Sequence, residues 1–142
     1  MAAAFGIIFG IAILLSSPSA EASMAENYAG TIWDPYLAVW GGKQVLLLKL
    51  VLAFLFGMVW SSLCLLLSLL SLNRYVAFIG TFILYQFLWQ ALPESRWNPV
   101  YLLRGDMLGY SFAGEPFIMQ LVILAVLFLA DWFGITRRLK DV

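Results

Sequence analysis

VLLLKLVLAFLFGMVWSSLCLLLSLLSL, Val45 to Leu72, decides how this chain is read. A helix that crosses a bilayer needs about 20 mostly apolar residues, because the hydrocarbon core is ~30 Å thick and each residue rises ~1.5 Å. This stretch exceeds that length with one charge, Lys49, near its start. The whole chain agrees with it. Of 142 residues, 63% are hydrophobic and 11% charged, and the mean hydropathy is +0.94. A soluble domain carries roughly 45–50% apolar and about 25% charged residues, so the soluble globular class is a poor fit.

Working outward, two further stretches pass the same test. Tyr75 to Leu92, YVAFIGTFILYQFLWQAL, is stopped by Pro93. Pro116 to Phe133, PFIMQLVILAVLFLADWF, opens on a proline, which suits a first helical turn whose amide has no partner, and leads into the basic tail ITRRLKDV. Ala2 to Leu15 is shorter, and two readings stay open: an uncleaved span, or a signal-peptide core followed by Ala20-Glu21-Ala22 as cleavage pattern, with no positive charge before it. The expected architecture is an all-α integral membrane protein, a single membrane domain over 1–142. It has about four transmembrane helices (2–15, 45–72, 75–92 and 116–133) and an interfacial or re-entrant outer loop.

Eight Lys+Arg balance eight Asp+Glu, which leaves no basic face for nucleic acid. There is no histidine and one cysteine, Cys64, so His-based catalysis, His/Cys zinc sites and an intrachain disulfide are ruled out. Paired carboxylates and a Gly-rich phosphate loop are missing too. Neither an enzyme nor a resident cofactor is expected. Arg137, Arg138 and Lys140 cluster after the last span, and Arg74 lies in the turn between two others. By the positive-inside rule both termini are then cytoplasmic, unless residues 1–22 are removed.

The outer loops carry more than linker composition. Residues 24–42 hold Tyr28, Trp33, Tyr36 and Trp40, the density of an interfacial belt or a helix lying on the membrane surface. Asp34 is the expected N-cap of that helix, with Pro35 at its first position and Gly41-Gly42 as its stop. In 93–115, Asn98-Pro99 signals a helix start before the apolar run Val100 to Leu103, and Arg104-Gly105-Asp106 follows. That tripeptide matches the integrin-binding motif, but three residues carry almost no specificity. A segment too short to span yet half apolar fits a re-entrant helix, which survives at membrane depth only when protein or water covers it.

Five polar residues interrupt the apolar runs: Lys49, Gln86, Gln90, Gln120 and Asp131. Lys49 and Asp131 read as interfacial anchors, Lys49 by snorkelling on its four-carbon stem. Gln86 and Gln90, four apart on one helical face, either line a polar path or bond a neighbouring helix, and packing is favoured. Ser61, Cys64, Ser68 and Ser71 form a stripe of small residues down one face, the pattern of a helix-packing seam.

The run Phe56-Gly57-Met58, Leu63, Leu65, Leu67-Ser68-Leu69, then Asn73-Arg74-Tyr75-Val76-Ala77-Phe78, Phe82-Ile83-Leu84-Tyr85 and Trp97-Asn98-Pro99-Val100-Tyr101-Leu102 resembles the C-terminal half of bacterial type 2 ABC exporter permeases. The match covers roughly residues 45–142. The resemblance implies a permease component in the bacterial plasma membrane that dimerises or pairs with another membrane subunit and couples to a separate cytoplasmic ATPase subunit. It places Asn73 and Arg74 in a cytoplasmic turn, and Asn98 and Pro99 in the outer re-entrant loop. The family's permeases have six spans and an early coupling element, so four candidate spans correspond to a partial or split component. The alternative is a small non-transporting subunit that scaffolds a larger membrane complex.

Overall fold

The computed structural model describes residue 26 and residues 28–140 apart from 72, 107 and 108. The candidate span or signal segment at 2–15 lies outside the described residues. Within them the chain is all-helical: α1 Asp34–Trp40, α2 Gly42–Ser71, α3 Arg74–Ala91, α4 Pro99–Arg104 and α5 Glu115–Lys140.

The long apolar run becomes α2, 30 residues and so about 45 Å of helix. Its end is set by side chains that compete for the backbone. Ser71 Oγ donates to Leu67 O at 2.7 Å and to Asn73 O at 3.2 Å. Asn73 then caps α3, its side-chain oxygen accepting from Tyr75 N at 2.9 Å, which satisfies one of the four amides a helix start leaves open. A tight turn follows, and α3 returns along α2. The last helix, α5, packs on α2 as well, whereas α3 and α5 share no extended contact. α2 is therefore the central post, with α3 and α5 splayed on either side and α4 wedged against α2 and α3 at one end.

Two described helices, not three, are long and apolar enough to cross a membrane: Gly42–Ser71 and Glu115–Arg137. α3 falls short because its first residue is the charged Arg74 and Leu92-Pro93 ends it, which leaves Tyr75–Ala91 as its apolar stretch. The last helix runs longer than the expected 116–133. Gly134 does not end it, because the glycine lies inside the helix with its Cα close to Leu69 of α2, whose Cδ1 would stand 3.3 Å from an added Cβ.

The start of α1 also differs from expectation. Asp34 is its first residue rather than its cap, and the cap position falls on Trp33, which offers no side-chain acceptor. The carboxylate instead accepts from Gly30 N at 3.0 Å, closing the turn that precedes the helix. Gly41, at φ +82°, ends α1, and Gly42 already belongs to α2.

The largest cluster of buried apolar side chains lies at the α1/α4 end. Trp33, Val45 and Ala113 form the nucleus of a small core, with Tyr28, Ile32, Tyr36, Leu37, Leu48 and Phe117 packed around it. Elsewhere large apolar side chains cover the outside: Phe78 and Phe87 on α3 and Val126, Phe128 and Phe133 on α5 are all exposed.

Candidate functional site: a clamped loop end and an apolar cleft

The loop end is built around a tryptophan and a glycine. Trp33 is fully buried and its indole N–H donates to Gly105 O, joining segments 72 residues apart. Gly105 is the C-cap of α4 in the left-handed region, φ +63°, and its amide donates to Tyr101 O at 2.7 Å. This is the common way a helix ends, with glycine at the position where a Cβ would be penalised. The two rings beside Trp33, Tyr36 and Phe117, each meet it edge-on at 6.4 Å.

Lys49 completes the same junction. Its ammonium donates to Arg104 O at 2.9 Å and sits 4.0 Å from the Tyr28 ring centre and 5.3 Å from that of Trp33. The side chain thus serves the C-terminal end of α4, where open carbonyls favour a cation, and aromatic faces supply further attraction. Arg104 and Asp106 pair with one another at 2.9 Å, and Gly105 between them is buried. The tripeptide is folded on itself, with no free Arg and Asp side chains to present. Burial pushes the Tyr28 phenol above its ordinary pKa, and Asp106 adds to the effect.

Across the same end, Arg96 and Glu115 pair at 3.0 Å, and the second Glu115 oxygen accepts from Ser111 N at 2.6 Å. The Tyr110 hydroxyl donates to Arg96 O at 3.0 Å. Burial first, then Glu115 and Asp106, push its phenol up to about 12. Asn98 is buried and works in three directions. Its oxygen caps α4 through Val100 N at 2.9 Å, while its amide group donates to Leu92 O at 2.8 Å and Trp89 O at 3.3 Å. Asn98 therefore ties the start of α4 to the end of α3, with Pro99 buried beside it.

Between α3 and α5, in front of α2, lies a half-open cleft of about 290 Å³. Leu63 of α2, Leu84 and Leu88 of α3, and Leu127 of α5 form its walls, and Leu102 of α4 belongs to its lining. Trp60, whose ring meets Tyr85 edge-on at 5.3 Å, also lines it. Gln120 contributes the single polar side chain of the lining. It is 1% exposed; its amide group donates to Leu102 O at 2.6 Å, and its carbonyl oxygen has no partner. The paired glutamines do not take part: Gln86 is half-buried, Gln90 is exposed, and neither lines the cleft. α3 turns its leucines to the cleft instead. Along the small-residue stripe, Ser61 is exposed, while Cys64, Ser68 and Ser71 are half-buried.

Asp131 is not at an exposed boundary. Because α5 continues well past it, the residue sits inside the helix and against α2, 5% exposed. Ser62 Oγ donates to one carboxyl oxygen, and the other has no partner. A buried acceptor that loses its donor costs about 1–3 kcal/mol. Ser62→Ala should therefore destabilise the α2/α5 pair by about that amount, and the double change Ser62→Ala with Asp131→Leu should recover most of it. Unfolding in graded denaturing detergent, followed by far-ultraviolet dichroism, measures both; a double variant weaker than the single one would refute the pairing.

The Trp33–Gly105 and Lys49–Arg104 contacts were not anticipated from the sequence. A signal for half of the first existed, since a glycine after the apolar run Val100 to Leu103 marks a helix end. Nothing local pointed from Gly105 to Trp33. Among the described residues no group of three or more Asp, Glu, Cys or His side chains converges to hold a metal. No protein family, curated protein or solved structure matches the chain.

Proposed function

We propose that the chain is the membrane-spanning permease component of an ATP-driven exporter, working with a separate ATPase subunit and a second membrane subunit or copy. The observation that carries this reading is the order of elements: long helix, Asn73-capped turn, returning helix, short Asn98-capped helix folded back under cover, then a last long helix. It is the sequence of elements that the resemblance to type 2 exporter permeases calls for. The dense belt of exposed apolar side chains on α3 and α5 fits burial in lipid, since large exposed apolar patches on a water-facing protein mark interaction surfaces or aggregation sites. If the basic cluster Arg137, Arg138 and Lys140 lies in the cytoplasm, α4 and the loop end face outward and the Asn73-Arg74 turn faces the cytoplasm.

Extraction of the tagged full chain from its native membrane in mild detergent tests the reading. An ATPase subunit carrying a phosphate-binding loop should co-purify in stoichiometric amount. A stable, monomeric chain with no such partner would count decisively against it. The splayed arrangement, with α3 and α5 each presenting an unpartnered apolar face, also suits a non-transporting scaffold subunit. For that reading the exposed Ser61 is the place to look: Ser61→Leu should break the assembly while leaving membrane insertion unchanged.

A further inference from the structure

The loop end holds a second hollow that the exporter reading leaves without a role. It is half-open and measures about 310 Å³, near the low end of the ~300–1,000 Å³ range for small-molecule sites. Its accessible walls are largely aromatic: Trp40 and Phe112 are about half exposed, and Tyr36 and Phe117 are half-buried. Trp33 is sealed and meets no occupant. It stands edge-on to Tyr36 and Phe117, 6.4 Å from each, and braces two of the walls. Tyr36 and Trp40 lie 5.2 Å apart at 62°, two sides of a corner and not a parallel stack. Phe112 is seated on a glycine, since a Cβ at Gly114 would stand 2.7 Å from its ring.

These walls narrow the occupant by charge. The face of an aromatic ring is the negative side of its quadrupole, so it attracts a cation and repels an anion. Lys49 already behaves this way at the same loop end: its ammonium rests 4.0 Å from the Tyr28 ring centre, and it does not line the hollow. No Asp, Glu, Asn or Gln side chain lines the hollow either. A lysine-type ammonium would therefore leave N–H donors without side-chain acceptors, which is costly in an apolar wall. A quaternary ammonium has no N–H to leave unpaired. Leu48, in the second turn of α2, and Phe117, in the first turn of α5, bring the hollow to one shared end of the two helices long enough to cross a membrane. Headgroups lie at the ends of such spans.

We propose that the hollow bounded by Tyr36, Trp40, Phe112 and Phe117 binds a trimethylammonium group, carried by a choline lipid headgroup or by a free quaternary amine. The site does not depend on the exporter reading and holds equally for a scaffold subunit.

The indole N–H resonances of the isotope-labelled full chain in dodecyl maltoside test it, with Trp40→Phe identifying the Trp40 signal. Choline should move that signal saturably. Neohexyl alcohol, the same shape with carbon in place of the charged nitrogen, should bind about three- to thirtyfold more weakly, the range of a cation over one or two rings. Phe112→Leu keeps apolar bulk without the ring; it should weaken choline about threefold and leave neohexyl alcohol unchanged. The wild-type comparison of choline with neohexyl alcohol stands alone if the variant folds poorly. Bilayer discs separate the sources. A lipid source displaces the Trp40 signal in phosphatidylcholine discs relative to phosphatidylglycerol discs, and free choline then adds nothing in the former. A free-amine source leaves choline moving the signal alike in both. Equal affinity for choline and neohexyl alcohol would overturn the site. So would the absence of a saturable choline shift together with identical Trp40 signals in the two discs.

Discussion

Gly105→Ala should cost the fold more than almost any other single-methyl addition. Two effects add. At φ +63° a Cβ strains the backbone by about 1–2 kcal/mol. The same Cβ would stand 2.5 Å from Leu52 Cδ2, and Leu52 is fully buried, so it has no free direction in which to yield. Forcing a methyl group into such packing adds about 1–3 kcal/mol. The expected loss is therefore about 2–5 kcal/mol, read as a lower midpoint in graded denaturing detergent with far-ultraviolet dichroism as signal. Gly57→Ala is the matched comparison. Gly57 lies inside α2 with nothing within 4 Å of an added Cβ, and alanine is the better helix former by about 1 kcal/mol. That variant should be neutral or slightly more stable. A Gly105→Ala chain within about 0.5 kcal/mol of wild type would mean that the loop end is loosely packed.

Trp33→Ala should be as damaging, by a different route. Trp33 is fully buried at the nucleus of the small core, and truncating a core Trp to Ala typically costs about 3–5 kcal/mol in transfer and cavity terms. Trp33→Phe separates the hydrogen bond from the packing. The ring remains, but the Gly105 carbonyl loses its indole donor, and an unpaired buried carbonyl costs about 1–3 kcal/mol. The two sites share one junction, so combining Trp33→Phe with Gly105→Ala should cost less than the sum of the two losses. Strict additivity would show that the clamp is not a unit. Because Lys49 stands between Tyr28 and Trp33, Trp33→Ala should also free its ammonium. That loosening should appear as faster amide exchange over residues 99–105, the first observable of an opened loop end.

These predictions could not have been written from the sequence, and the reason lies in what each signal depends on. Helix starts announce themselves locally. Asn73 and Asn98 cap α3 and α4 through amides two residues on, and a capping side chain needs no information from the rest of the chain. The expected turn and the expected loop helix accordingly fall where Asn73-Arg74 and Asn98-Pro99 stand. The Asp34 expectation failed at the same level of detail, because the carboxylate had a second acceptable partner, Gly30 N, and local hydrogen bonding alone does not choose between them.

Residues inside the apolar runs depend on the partner helix instead. Asp131 and Lys49 both read as interfacial anchors by their distance from a run's end. Asp131 is buried because α5 continues past Gly134 and sets it against Ser62. Lys49 turns to a carbonyl that its own chain brings back, Arg104 O. Gln120 gave no local sign that it would differ from Gln86 and Gln90, and it alone is sealed in the cleft wall.

The stretch from Val45 to Leu72 was enough on its own to establish a long apolar helix, since length and hydropathy are sums over consecutive residues and need no third dimension. The return of the chain at Asn73 and the short helix at Pro99 were legible for the same reason. Only the tertiary structure decided that α2 is a post with α3 and α5 splayed around it, that Trp33 locks onto Gly105, and that Gln120 is buried while Gln90 is exposed. Those outcomes rest on which faces meet across tens of residues of sequence. In runs as uniformly apolar as these, many faces are equally suitable for packing, so periodicity does not choose among them.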